Sequence, residues 1–116
     1  MRILLVDADP KCRKDFKDLL ESQGYKVVTS TDGLVALEQL TRKRKIKFHL
    51  VLTDTKMPCM SGPELAEDMK QRGIKIPVIG MSNREECREF YKHFWNKNEL
   101  PEKLFALIKE LTAKSP

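Results

Sequence analysis

HLVLTDTKMPCMSG, residues 49 to 62, runs from a short apolar strand into a carboxylate, a Met-Pro turn and the start of a helix. His49 to Thr53 is apolar and rich in strand formers, the pattern of a parallel strand covered on both faces. In open α/β sheets, ligands and chemistry collect just beyond the carboxyl ends of such strands, and Asp54 stands there. Taken alone, Asp54 reads equally well as an acid that opens a turn by accepting from backbone amides. The other strands decide between the two.

Three further apolar runs end in the same way. Arg2 to Val6 stops at Asp7-Ala8-Asp9-Pro10, Ile76 to Met81 stops at Ser82-Asn83, and His93 to Asn96 stops at Lys97-Asn98. Each delivers a polar group to its carboxyl end, and in a parallel sheet those ends share one edge. Two acids, a hydroxyl and an ammonium gathered there suit a divalent cation and a phosphoryl group. The carboxylates would hold the metal, and the ammonium and hydroxyl the phosphoryl oxygens.

Between the strands the apolar period changes to that of helices, giving βαβ units with right-handed crossovers. Asp9-Pro10 reads as an N-cap and first helical position, with Cys12, Phe16, Leu19 and Leu20 on one face and Gly24 as the stop. A strand over Tyr25 to Val28 and a helix from about Gly33 to Arg42 follow, the latter carrying Leu34, Leu37 and Leu40 as a core stripe. Ser61 and Glu64 form a capping box for a helix that ends near Gly73. Pro101 opens the last helix, whose buried stripe is Leu104, Leu107, Ile108 and Leu111.

At 116 residues the chain is expected to form one domain, residues 1–116, large enough to bury a core of ordinary size. It contains no internal repeat or low-complexity stretch, and no apolar run approaches a membrane span or signal peptide. A cytoplasmic location and no membrane partner are therefore expected. The three cysteines lack metal-ligand spacing and are read as reduced thiols, with Cys12 in the core and Cys59 in the loop after Asp54. The net charge of +5 owes much to Arg42-Lys43-Arg44-Lys45 and Lys47. These are read as a solvated helix end that suits the helix dipole, since no nucleic-acid-reading module accompanies them.

ILLVDADP at the start, VLTDTKMPCMSGPEL in the centre, IPVIGMS in the fourth strand and FWNKNELPEKL near the end together resemble a response-regulator receiver domain, the phosphoacceptor half of two-component signalling. The central motif is the most specific of the four. The resemblance implies an α/β, flavodoxin-like, doubly wound parallel sheet of five strands in the order 2-1-3-4-5, with helices on both faces. It implies that Asp54 is the phosphoacceptor, that Asp7 belongs to the acidic pocket, and that Ser82, Phe94 and Lys97 are the switch hydroxyl, switch aromatic and phosphate-binding lysine. Mg²⁺ is the implied cofactor, held by Asp7, Asp54 and the Lys56 backbone carbonyl, with Asp9 as a further candidate. A histidine kinase or phosphotransfer protein is the implied donor, and a downstream protein or fused output domain the receiver of the signal. Such a domain is not an enzyme beyond its own phosphorylation and dephosphorylation.

Four departures from the family pattern bear on that expectation. Where receivers carry two adjacent acids after the first strand, this chain reads Asp7-Ala8, which removes a metal ligand. A unit charge pair at ~4 Å is worth roughly 4 kcal/mol at an effective dielectric near 20, so weak Mg²⁺ binding is expected. Asn83 follows the switch hydroxyl in place of a very small residue, and reads both as a narrowing of access to Asp54 and as an N-cap paired with Glu86. Lys56 is read as a side chain at the mouth that modulates access of water, or as merely solvated. Only fourteen residues separate Ser82 from Lys97, so the fourth helix is expected to be shortened to about two turns or partly unwound. Finally, Asn98 replaces the proline that follows the lysine, so a trans loop with Lys97 aimed differently is expected.

Two functions of different kind remain open from sequence. One is a working phosphoacceptor; the other is a degenerate receiver that acts as a phosphorylation-independent interaction module. A flavin-binding relative lacks support, because no Ser/Thr/Gly-rich phosphate loop follows the first strand.

Overall fold

A computed structural model describes residues 1–42 and 46–113. Five strands, β1 (Arg2–Val6), β2 (Lys26–Ser30), β3 (Leu50–Asp54), β4 (Val78–Ser82) and β5 (Phe94–Asn96), form one parallel sheet in the order β2-β1-β3-β4-β5. Four α-helices connect or follow them: α1 (Pro10–Glu21), α2 (Gly33–Thr41), α3 (Gly62–Gln71) and α4 (Pro101–Thr112). This is the flavodoxin-like fold expected from sequence.

Alternation along the strands builds two cores. Ile3, Leu5, Leu50, Leu52, Ile79, Met81 and Trp95 face Leu20 of α1 and Leu104 and Ile108 of α4. Leu4, Val6 and Val51 face the opposite way, against Ala36 and Leu37 of α2 and Leu65 and Met69 of α3. Each such side chain removed from water contributes about 1.5–3 kcal/mol. Because both faces are covered, the strands read as continuous apolar runs.

The helix signals act as the sequence suggests. Asp9 caps α1 by accepting from the Lys11 amide at 2.9 Å, and Pro10 occupies the first turn. Ser61 and Glu64 complete a reciprocal capping box on α3. Gly24 and Gly73, just past α1 and α3, lie in the left-handed region.

Several local expectations change. The second strand begins and ends later, at Lys26 and Ser30, because it pairs residue for residue with β1 from Arg2 to Val6. Leu34 is 45% exposed, since the buried stripe of α2 runs through Gly33, Ala36 and Leu37. Between β4 and β5 there is no α-helix but a 3-10 segment, Glu85–Phe90, which fits the shortened connection. It starts after Arg84 without a side-chain cap, so Asn83 is not its N-cap; the Ser82 hydroxyl accepts the Arg84 amide instead. Arg42 ends α2, while Lys43, Arg44 and Lys45 of the basic run lie outside the described residues. No described helix is long and apolar enough to cross a membrane.

Candidate functional site

Strand order reverses between β1 and β3, and this switch point places the residues following those strands side by side. Asp7, immediately after β1, is fully buried. Its Oδ1 accepts the Asp9 amide at 2.9 Å, whereas its Oδ2 has no hydrogen-bond partner among the described residues. Asp54, the last residue of β3, keeps part of its carboxylate open to a cleft of about 730 Å³ and accepts the Thr55 amide on Oδ1 at 3.0 Å.

Lys97 joins the two acids. Its Nζ lies 3.3 Å from Asp54 Oδ1 and 3.5 Å from Asp7 Oδ2. The backbone aims it, because the Lys97 amide donates to the Ser82 carbonyl at 2.9 Å and so continues the β4–β5 pairing past the strand end. No described peptide bond is cis, and Asn96 Oδ1 holds the following turn by accepting the Asn98 amide at 2.8 Å. The expected redirection of Lys97 is therefore not found; an asparagine-bonded trans turn delivers it to the acids.

Electrostatics follow from this packing. Burial pushes the Asp7 carboxyl upward, helped by repulsion from Asp54, and the Asp9 amide and Lys97 only partly offset it. For Lys97, burial pulls the ammonium downward, but the Asp54 and Asp7 carboxylates outweigh burial and leave it raised. The cation is thus held in place as a cation.

The remaining expected residues divide into two groups. Ser82, nearly buried, lines the same cleft as Asp54 and Lys97, and Lys56 and Asn83 stand exposed at its rim. Asp9 also lines the cleft, but its carboxylate is spent on the α1 cap and on the Cys12 thiol, which donates to it at 3.4 Å. Phe94 does not line the cleft; it is buried, stacked on Tyr91 at 6.0 Å, with Arg88 5.0 Å from its ring centre. Cys12, expected in the core, is partly exposed at the cleft edge, and Cys59 is exposed.

The donor set suits a hard cation only sparsely. Asp7 Oδ2 is a buried oxygen lacking a hydrogen-bond partner, Asp54 sits beside it through their shared lysine, and the Lys56 segment forms the rim. Among the described residues no group of three or more His, Cys, Asp or Glu gathers to hold a metal. Two carboxylates, with water completing the shell, are the protein oxygens this arrangement offers a hard cation.

Sequence reading missed two residues next to this site, Tyr91 and Thr55. The Tyr91 hydroxyl lies 2.9 Å from Thr55 Oγ1, and burial pushes its phenol up to about 12. Its signal in the sequence is indirect: a Cβ at Gly62 or at Gly80 would collide with the Tyr91 side chain.

The family model described as the response regulator receiver domain matches residues 3–96. The chain is 39% identical over 82 residues to the sensor histidine kinase RcsC of Escherichia coli K12, covering 71% of this chain and 8% of that protein. It is 38% identical over 92 residues to the two-component response regulator ORR24 of Oryza sativa subsp. indica, covering 79% of this chain and 14% of that one. The chain thus spans a small fraction of these relatives. Among solved structures, the response regulator TrrA of Thermotoga maritima, in complex with Mg²⁺ and BeF, superposes with a TM-score of 0.83 at 26% identity, over 95% of this chain and 97% of that one.

Proposed function

The chain belongs to the response regulator receiver domain family of two-component signalling, and from that membership we propose that Asp54 accepts a phosphoryl group from a phosphohistidine. The observation that carries this reading is the Lys97 bridge, 3.3 Å to Asp54 and 3.5 Å to Asp7, which joins the carboxyl ends of β1, β3 and β5. A fixed cation beside a cleft-facing carboxylate is what an acyl phosphate requires, because a dianionic phosphoryl group must be accommodated next to Asp7.

The free Asp54 oxygen attacks phosphorus in line, an O–P bond forms, the N–P bond breaks, and the imidazole leaves with a proton. Catalysis here is positioning and charge neutralisation. Lys97 holds one phosphoryl oxygen and the Ser82 hydroxyl another, which draws Ser82 away from the Arg84 amide it now accepts. Phe94 then moves toward the space Ser82 leaves, a local charge event biasing a two-state element. Mg²⁺, held by Asp7, Asp54 and the Lys56 carbonyl, would neutralise phosphoryl charge when bound. Lys56 and Asn83 at the rim govern access.

Residues 1–116 act as one receiver unit in the cytoplasm. Its donor is a histidine kinase or phosphotransfer protein, and its output is a separate protein or a fused domain. The domain turns over no separate substrate beyond its own phosphorylation and hydrolysis. The second reading, a phosphorylation-independent interaction module, draws on one observation: Ala8 leaves the pocket with two carboxylates. Intact-mass measurement after acetyl phosphate treatment separates the readings, since a working receiver gains one phosphoryl group that Asp54→Asn abolishes.

A further inference from the structure

The connection between β4 and β5 is too short for a packed α-helix, and one side chain occupies the room such a helix would line. Tyr91 follows the 3-10 segment and turns back over β4. Its ring lies where a Gly80 Cβ would stand, and its hydroxyl where a Gly62 Cβ would stand. One face is stacked on Phe94 at 6.0 Å with an interplanar angle of 21°. The slot therefore has walls of β4, the start of α3 and Phe94.

The hydrogen-bond direction in this slot is fixed by elimination. Thr55 Oγ1 lies 3.0 Å from the Met81 carbonyl, which can only accept, so the threonine hydrogen points there. The Tyr91 hydroxyl at 2.9 Å must then donate to Thr55. The chain Tyr91 to Thr55 to Met81 joins the residue after Asp54 to the residue before Ser82. It touches both sides of the proposed reaction and meets the cleft itself through Thr55.

We infer that Tyr91 is a positioning residue that holds the unphosphorylated arrangement, tying the Asp54 strand to β4 and filling the space into which Phe94 would move. Phe94 cannot approach Ser82 across Gly80 while the Tyr91 ring lies on that glycine. Occupation of the Asp54 site must displace Tyr91 first, and Tyr91 carries the 3-10 segment with it because its amide N–H donates to the Arg88 carbonyl at 3.2 Å. The occupied site is thereby linked to an exposed surface that includes Phe90, 53% exposed. This inference rests on the phosphoacceptor reading and adds a residue which that reading does not use.

The test uses the whole chain with tyrosine labelled at ¹³Cζ, saturating Mg²⁺ and beryllofluoride as the phosphoryl stand-in. Tyr25 and Tyr91 are the two tyrosines, so Tyr91→Phe assigns the pair. Fluorine NMR reports bound beryllofluoride independently. The expected result is a bound fluorine signal together with a shifted Tyr91 resonance and an unmoved Tyr25, which packs against the α1/α4 core. Tyr91→Phe, lacking the donor that holds the resting state, binds beryllofluoride about fivefold tighter. Thr55→Val gives a similar gain, and the double variant gains no more than either alone. A bound fluorine signal with an unmoved Tyr91 resonance, or with unchanged affinity in Tyr91→Phe, overturns the inference alone. No bound fluorine signal in the folded wild type overturns the phosphoacceptor reading and this inference with it.

Discussion

The Lys97 ammonium stands 3.3 Å from the Asp54 carboxylate and is shared with Asp7 at 3.5 Å, so one cation serves two acids delivered by different strands. Its side chain is only 18% exposed, and solvent does little to replace it. Lys97→Met is expected to cost about 1–2 kcal/mol of stability at neutral pH, less than a fully buried pair because the Asp54 end reaches the cleft. The same variant should bind beryllofluoride at least about tenfold more weakly. Thermal melts and fluorine NMR titration check the two effects together.

Asp7 makes the opposite trade. Burial raises its folded value above the ordinary 3.8, so ionising it costs stability: the cost is absent below that pH and complete above the raised folded value. At pH 7 Asp7→Asn is therefore expected to stabilise the fold by about 1 kcal/mol, or roughly 4 °C in melting temperature. Its advantage over the wild type should vanish as the pH falls toward 3.8. Beryllofluoride binding should be lost in the same variant, because Oδ2, ion-paired with Lys97 but without a hydrogen bond, is the buried oxygen available to the metal.

Tyr91 supplies an alkaline signature. Its phenol is raised by burial from the usual 10.0 to about 12, so the neutral form is favoured in the fold. The stability gained from this is complete below pH 10 and is lost as the pH rises through about 12. Absorbance titration of the folded chain should show a late phenolate step that Tyr91→Phe removes. Chemical denaturation at pH 9 and 11 should show a steeper alkaline loss for the wild type than for that variant.

How much of this was legible in the sequence depends on the range of the interaction involved. Strand ends, caps and helix stops are local, and Asp9-Pro10, Ser61 with Glu64, and the polar residues closing β1, β3 and β4 announced themselves by type and spacing. The shortened fourth connection followed from counting residues between Ser82 and Lys97. The Tyr91 slot was invisible because it is assembled from Gly62, Gly80 and Thr55, which meet only after the sheet forms. The aim of Lys97 was misjudged for a related reason: pairing of its amide with the Ser82 carbonyl, together with the Asn96 side chain, does the work assigned to a proline. Asn83 had the composition of a cap, but the Ser82 hydroxyl reached the Arg84 amide first.

Intact-mass spectrometry after acetyl phosphate treatment, with and without Mg²⁺, tests the central claim most directly when wild type, Asp54→Asn and Ala8→Asp are compared. A working receiver predicts a single phosphoryl adduct in the wild type that requires Mg²⁺, is absent from Asp54→Asn, and forms at roughly tenfold lower Mg²⁺ in Ala8→Asp, where a second acid adds to the pocket. A folded wild type that gains no adduct even at high Mg²⁺, or one whose adduct survives Asp54→Asn, would contradict the account.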